Sequence, residues 1–309
     1  MSDYIASLKS NNISVISRLI SNVENDSENF DQLLNELYPH SQETFRIGIT
    51  GPPGAGKSTL LNQLIIEFRK KDKSIGIISV DPTSPITGGA LLGDRVRMTQ
   101  HFDDDKVFIR SMGSRGAAGG LALKSQLVAE ILSATGKDIL FIETIGIGQT
   151  ESDIFNQVDL TILVLVPESG DDVQMIKAGP IEIADILVVN KSDRPNADHL
   201  TNTLLKIFTN NNSESDPGIL NTSALTGEGV DLLVQNIISQ LESLTNSGKL
   251  NEQREKQYIE KVKETIKDEF MERFWYGEMQ KKIGDKVKEF KKLKISPYNA
   301  AKEIITELI

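Results

Sequence analysis

The stretch that most constrains this chain is GPPGAGKST, residues 51–59, set between the apolar run FRIGIT and the helix-like LLNQLIIEF. It fits G-x-x-x-x-G-K-[ST], a phosphate-binding loop where a strand turns into a helix. Glycines let backbone N–H groups turn inward around phosphates, and the helix N-terminus adds partial positive charge. The expected cradle is Gly51, Pro53, Gly54, Ala55, Gly56, Lys57, Ser58 and Thr59. Lys57 is expected to reach the β- and γ-phosphates, and Ser58 to place its hydroxyl on Mg2+.

The rest of the chain supplies a sheet for that loop. FRIGIT, SIGIISV, KVFIRS, DILFIET, LTILVLV and ILVVN are apolar runs of strand length. Helices are predicted from Lys57, near Gly119, near Asp172, near Asp198 and near Val230. Buried strands alternating with helices predict an α/β fold, a P-loop NTPase whose mostly parallel central sheet is flanked by helices, over residues 45–245. Residues 1–44 form an N-terminal helical segment, with Ile13, Ile16, Leu19 and Ile20, then Leu33, Leu34 and Leu37, at helical spacing. Residues 246–309 form a C-terminal helical extension behind the polar connector NSGKLNEQREKQ. There Tyr258, Val262, Ile266, Phe270 and Phe274 recur every four residues, and Met279, Ile283 and Val287 continue the series. That predicts one apolar stripe on a long charged helix. The stripe packs on its own domain or pairs with another subunit.

Composition removes several chemistries. The 309 residues include no cysteine, so disulfides, thiolate metal sites and Cys nucleophiles are excluded. His40, His101 and His199 are scattered without metal-ligand spacing. The net charge of −10 disfavours non-specific binding to nucleic acid or anionic membranes. No apolar run approaches the roughly 20 residues of a membrane-spanning helix. The N-terminus MSDYIASLKSNN lacks a signal-peptide layout, so a cytoplasmic location is expected.

Base choice is written in NKSD, residues 190–193, behind the strand ILVVN. A carboxylate at Asp193 can accept two hydrogen bonds from guanine N1–H and N2–H2, and adenine offers no such donor pair. Asn190 joins it, and the stem of Lys191 can cover the base plane. In NTSAL, backbone N–H groups of Ser223 and Ala224, beside Leu225, can face the guanine oxygen.

Acidic residues close two further strands, Asp81 after SIGIISV and Glu143 after DILFI. Hard cations prefer oxygen ligands, so Glu143 is a candidate to hold Mg2+ directly or through water, with Asp81 and Asp94 beside it. Glu143 opens ETIGIGQT, where a γ-phosphate sensor belongs and Gly146 can offer its N–H. Ile147 occupies the place of the water-orienting Gln of some GTPases, and Ile cannot hydrogen-bond; Gln149 lies two residues on. Slow intrinsic hydrolysis is therefore expected, raised when another group enters the site. A supplied arginine is worth ~10³–10⁵-fold in known GTPases. Arg97, Arg110 and Arg115 are internal candidates, and Asp94 can orient water instead.

GPPGAGKST, VDPTSPITGGALLGDRVRM, ETIGIGQTE, PESGDDVQMIKAG and NKSD, in that order, resemble the methylmalonyl-CoA mutase-associated GTPases, the MeaB/ArgK family. The resemblance covers nearly the whole chain. It implies a SIMIBI-class G domain that binds GTP or GDP with Mg2+ and a homodimer built with the C-terminal helices. It also implies GTP hydrolysis coupled to delivery, exchange or protection of adenosylcobalamin in an acyl-CoA mutase, of the methylmalonyl-CoA mutase type. It places Asp81, Asp94 and Arg97 in a first switch. Lys57, Asp94, Arg97 and Glu143 are the expected catalytic set. Glu143 and Gly146 fall in a second switch. Asp171, Asp172, Gln174 and Lys177 fall in a third that answers the mutase. The chain departs from the family pattern at Gly113 and Ala117–Ala118, so no role is assigned to that loop. A nickel-insertion metallochaperone is the alternative, disfavoured by the lack of Cys. A P-loop kinase linked to amino-acid transport is another, disfavoured by NKSD. Signal-recognition-like targeting lacks a Met-rich or basic extension here.

Overall fold

The computed structural model describes residues 8, 10, 12–24, 30–81, 98–113, 120–144, 157–167, 181, 184–210, 218–275, 278–292 and 294–308. Two compact units divide the chain, Met1–Asn251 and Glu252–Ile309. The first unit runs α1 (Ile13–Glu24), α2 (Phe30–Leu37), β1 (Phe45–Thr50), α3 (Lys57–Lys70), β2 (Ile75–Asp81) and β3 (Val107–Gly113). It continues with α4 (Gly120–Ala134), β4 (Ile139–Glu143), β5 (Leu160–Leu165), β6 (Ile186–Asn190), α5 (Ala197–Asn210), β7 (Gly218–Thr222) and α6 (Val230–Asn246).

The strands form one seven-stranded sheet in the order β3-β2-β4-β1-β5-β6-β7, and every neighbouring pair is parallel. β4, β5 and β6 are buried along their whole length, because helices cover both faces. On one face, Leu60, Leu64 and Phe68 of α3 and Leu233 and Ile237 of α6 pack on Ile47, Ile77, Phe141 and Ile162. On the other, Ile16, Leu19, Ile20 and Val23 of α1 meet Ile78, Leu140 and Ile142 together with α4. Leu200 and Leu204 of α5 close the remainder against Leu163, Leu187 and Val189. Ile13, part of the expected α1 stripe, is instead 52% exposed.

β7 was not among the anticipated strands. Its sequence GILNT lies at the sheet edge, half-buried, with Asn221 exposed. The helix expected near Asp172 lies outside the described residues. At the amino end of β1, Arg46 forms a two-pronged pair with Glu130 of α4, Nη1 to Oε1 at 3.2 Å and Nη2 to Oε2 at 2.9 Å. Ser41 Oγ also donates to Glu130, and the Arg46 N–H donates to Asp159 Oδ2 at 2.8 Å. These bonds tie the chain entering β1 to α4 and to the start of β5, at the opposite end of β1 from the phosphate loop.

Among the described residues, the predicted stripe falls on two helices, and a third follows. α7 (Lys249–Trp275) starts at the close of the first unit, and α8 (Glu278–Lys292) and α9 (Pro297–Leu308) follow. Ile283 and Phe290 of α8 bury against Ala300 and Ile304 of α9. Ile283 therefore faces α9, while Tyr258, Val262, Ile266 and Phe270 of α7 are 41–63% exposed. Among the described residues, no helix is long and apolar enough to cross a membrane.

Candidate functional site

In an open parallel sheet, ligands bind outside the carboxyl ends of the strands, where the winding order reverses. β1 is that point here, with β4 on one side and β5 on the other. The loop after β1 is shaped by contacts only glycine permits. A Cβ on Gly51 lies 2.1 Å from the Val164 carbonyl oxygen, and Gly51 has φ 143°. Gly56 caps α3 at φ 87°, and a Cβ there meets the Asn190 amide at 2.5 Å. Pro53 and Gly54 are exposed, Ala55 is buried and Thr59 half-buried.

Lys57 is buried and folds back over its own loop. Its Nζ donates to the Gly51 carbonyl at 2.8 Å and the Pro52 carbonyl at 3.1 Å. The ammonium is thus held among oxygens at the mouth of α3. Ser58 Oγ donates to Glu143 Oε1 at 2.7 Å, and Ser79 Oγ donates to Glu143 Oε2 at 3.2 Å. Glu143 is 4% exposed. A hydroxyl has one proton and two lone pairs. With its proton on Glu143, Ser58 keeps lone pairs for a hard cation, and hydroxyl plus carboxylate is a donor set that suits Mg2+. Thr144 Oγ1, beside Glu143, and Thr50 Oγ1, beside Gly51, are buried hydroxyls without a hydrogen-bond partner among the described residues. Such groups at the sheet's carboxyl edge fit a polar ligand.

The NKSD end divides into a frame and a reader. Asn190 is 1% exposed. Its Nδ2 donates to the Ala55 carbonyl at 2.8 Å, and its Oδ1 accepts from Thr222 Oγ1 at 3.2 Å and the Ala224 N–H at 3.0 Å. Asn190 therefore ties the phosphate loop to the ends of β6 and β7. Asp193 is exposed and accepts Ser223 Oγ at 2.7 Å. That hydrogen bond holds its carboxyl below the usual carboxylate range. Lys191 sits in the left-handed region at φ 57°.

Both backbone donors expected from NTSAL are already bonded within the protein. The Ser223 N–H goes to the Glu228 carbonyl at 2.9 Å, and the Ala224 N–H goes to Asn190. Leu225 is 83% exposed. Arg110 points elsewhere: on edge strand β3 it pairs with Glu24 at the end of α1. Asp81 closes β2 in register with Gly113. Asp94, Arg97, Arg115, Gly146, Ile147, Gln149, Asp171, Asp172, Gln174 and Lys177 lie outside the described residues. Two supporting residues had no role assigned from the sequence. Ser79 lies inside the strand SIGIISV and Thr222 inside NTSAL, and their roles come from strand register.

Comparison with known proteins identifies the family. A profile of the family described as methylmalonyl Co-A mutase-associated GTPase MeaB matches residues 16–279. A Pyrococcus abyssi protein with a provisional GTPase name is 41% identical, over 99% of this chain and 96% of its own. GTPase ArgK of Escherichia coli K12 is 35% identical over 80% of this chain and 76% of its own. The crystal structure of an LAO/AO transport system kinase superimposes with a TM-score of 0.74 at 26% identity, covering 99% of this chain and 97% of that one. A phosphate loop at the centre of a parallel sheet and a family match over most of the chain lead to one conclusion: it belongs to the MeaB family of P-loop GTPases, which bind guanine nucleotide and hydrolyse GTP.

Proposed function

We infer that this GTPase gates delivery, exchange or protection of adenosylcobalamin in an acyl-CoA mutase of the methylmalonyl-CoA mutase type. The observation that carries this reading is the match over residues 16–279 to a family described by its association with that mutase. The exposed apolar stripe on α7 supports a second element, a homodimer formed through the C-terminal helices. A cytoplasmic location goes with the reading. So does a division into an N-terminal segment (1–44), a G domain (45–245) and a helical extension (246–309).

At the site, residues 51–59 cradle the phosphates and Lys57 moves its ammonium from the Gly51 and Pro52 carbonyls onto them. Ser58 and Glu143 would hold Mg2+, which would supply positive charge for phosphoryl transfer. Asp81 and Asp94 stand by as further cation ligands, and Gly146 offers its N–H to the γ-phosphate. Asp193 reads guanine, Lys191 and Leu225 border the base, and Asn190 keeps reader and cradle in register. Phosphoryl transfer to water needs placement and charge rather than a protein nucleophile. Ile147 cannot orient water, so hydrolysis is slow until the partner completes the site through Arg97 or Asp94, or with a group of its own. Asp171, Asp172, Gln174 and Lys177 convey that contact.

Single-turnover hydrolysis with and without the purified mutase tests the gating. A slow rate that rises at least tenfold with the mutase is expected. A rate unchanged by it overturns the reading. One solved relative is named a transport-system kinase, which keeps phosphotransfer from ATP as the second reading. Binding of GTP at least a hundredfold tighter than ATP decides against it.

A further inference from the structure

β2 carries a hydroxyl among its buried apolar residues. Ser79 is 1% exposed and lies in register with Glu143 of β4 on one side and Ser111 of β3 on the other. Residues in register on neighbouring strands project from the same face. Ile77 and Phe141, two residues earlier on β2 and β4, pack with Leu61 and Leu64 of α3, so this is the face beneath the phosphate-loop helix. Ser79 and Glu143 therefore make a bonded polar step from β2 to β4 and on to Ser58, while Ser111 Oγ, on the same face, has no hydrogen-bond partner among the described residues.

The two oxygens of the Glu143 carboxylate meet different hydroxyls. Ser58 Oγ donates to Oε1 at 2.7 Å from the helix, and Ser79 Oγ donates to Oε2 at 3.2 Å from the neighbouring strand. The last torsion of a Glu side chain is broad, so a bond to one oxygen alone does not set the carboxylate plane. A bond to the other oxygen from the opposite side narrows it. Hydrogen bonds to the charged form also offset the cost of burying it.

We propose that Ser79 is a positioning residue of the GTPase site: its hydroxyl fixes the plane of the Glu143 carboxylate, and Glu143 holds the Ser58 hydroxyl with its lone pairs toward a divalent cation. The inference rests on the reading of Ser58 and Glu143 as the cation end of the site. Ser79 acts through Glu143. Groups that orient a ligand in this way affect metal affinity by about 10- to 100-fold elsewhere.

The test uses the full chain loaded with the fluorescent analogue mant-GDP. Its release rate is measured across a Mg2+ titration and again in EDTA. Ser58→Ala is expected to remove most of the Mg2+-dependent slowing. Ser79→Ala is expected to raise the Mg2+ concentration for half-maximal slowing about tenfold, with release in EDTA within twofold of the parent. Ser79→Thr, which keeps the hydroxyl, restores the parent value. In the Ser58→Ala background, Ser79→Ala adds nothing, the signature of two residues acting on one group. If Ser58→Ala leaves the Mg2+ effect intact, the cation reading fails and the inference falls with it. If Ser58→Ala removes the effect but Ser79→Ala behaves as the parent, the reading stands and the role of Ser79 is overturned. Equal acceleration by Ser79→Ala in Mg2+ and in EDTA marks a packing role only and overturns the proposal too. Circular-dichroism melts check that each variant folds. If Ser79→Thr does not fold, the double-variant comparison decides.

Discussion

The sheet unit and the helical unit solve the problem of burial in different ways. The first encloses its apolar side chains in three clusters around the sheet, with Ile47, Phe68 and Phe141 at 0% exposure. The second encloses a small group between α8 and α9. Along α7, Tyr258, Ile259, Val262, Ile266, Phe270 and Met271 stay 41–63% exposed. A sheet offers each covering helix a wide face, whereas an apolar stripe on one helix is stable in water only while it is narrow or covered. The difference teaches that the sheet of the first unit closes its core with its own helices, while α7 leaves its apolar residues exposed.

The sharpest way to break the comparison is to remove a buried charge partner from the first unit. Glu130→Ala strands Arg46, and loss of one member of a buried pair costs about 3–5 kcal/mol. Urea unfolding measures it, and a loss below 1 kcal/mol removes the claim that the polar contacts around β1 are interior ones. Gly51→Ala comes next. It forces a Cβ against the Val164 carbonyl, so GDP affinity is expected to fall at least a hundredfold in calorimetric titration.

Lys137 gives a pH-dependent version. Burial lowers its amine from 10.5 to about 8, and its Nζ donates to the Lys106 carbonyl. Below pH 8 the lysine is charged folded or unfolded, and the fold bears the full burial penalty. Between pH 8 and 10.5 the folded state sheds a proton that the unfolded state still holds, so stability rises with pH. Lys137→Met is therefore expected to be more stable than the parent by a margin that shrinks over that window. A margin that is constant from pH 7 to 10.5 contradicts the assignment. The smallest effect on folding belongs to the second unit. Ile266→Ser on α7 should change urea stability by no more than about 0.5 kcal/mol, yet weaken self-association in sedimentation. A large stability loss with no change in association inverts the comparison.

Much of the first unit is legible in the sequence because its signals are local. FRIGIT followed by GPPGAGKST fixes β1, the loop and α3 within one stretch, and continuous apolar runs mark β4, β5 and β6. β7 is not legible, since GILNT on an edge needs little apolar character. The hydroxyl of Ser79 and the pairing of Arg110 with Glu24 depend on which strand lies beside which, and no spacing records that. The C-terminal stripe misleads for a physical reason. Its apolar series runs through the sequence of both α7 and α8, so the two look like one helix. The burial of Ile283 against α9 then separates it from the exposed residues that share its rhythm. NKSD shows a subtler limit. The motif names Asn190 and Asp193 together, but one is buried in the frame and the other is exposed.

That last division has a consequence for rewriting the protein. Asn190 is soldered into the framework by three bonds, to Ala55, Thr222 and Ala224. Asp193 hangs in water on the hydroxyl of Ser223. On the proposed reading of Asp193, the alphabet of the site is separable from its chassis. Asp193→Asn exchanges one of two acceptor oxygens for a donor and can retune the protein to a base that keeps N1–H but carries a carbonyl in place of the 2-amino group, such as xanthine, while the phosphate grip stays as it is. A private nucleotide channel of that kind would let this GTPase be switched alone in a cell full of others.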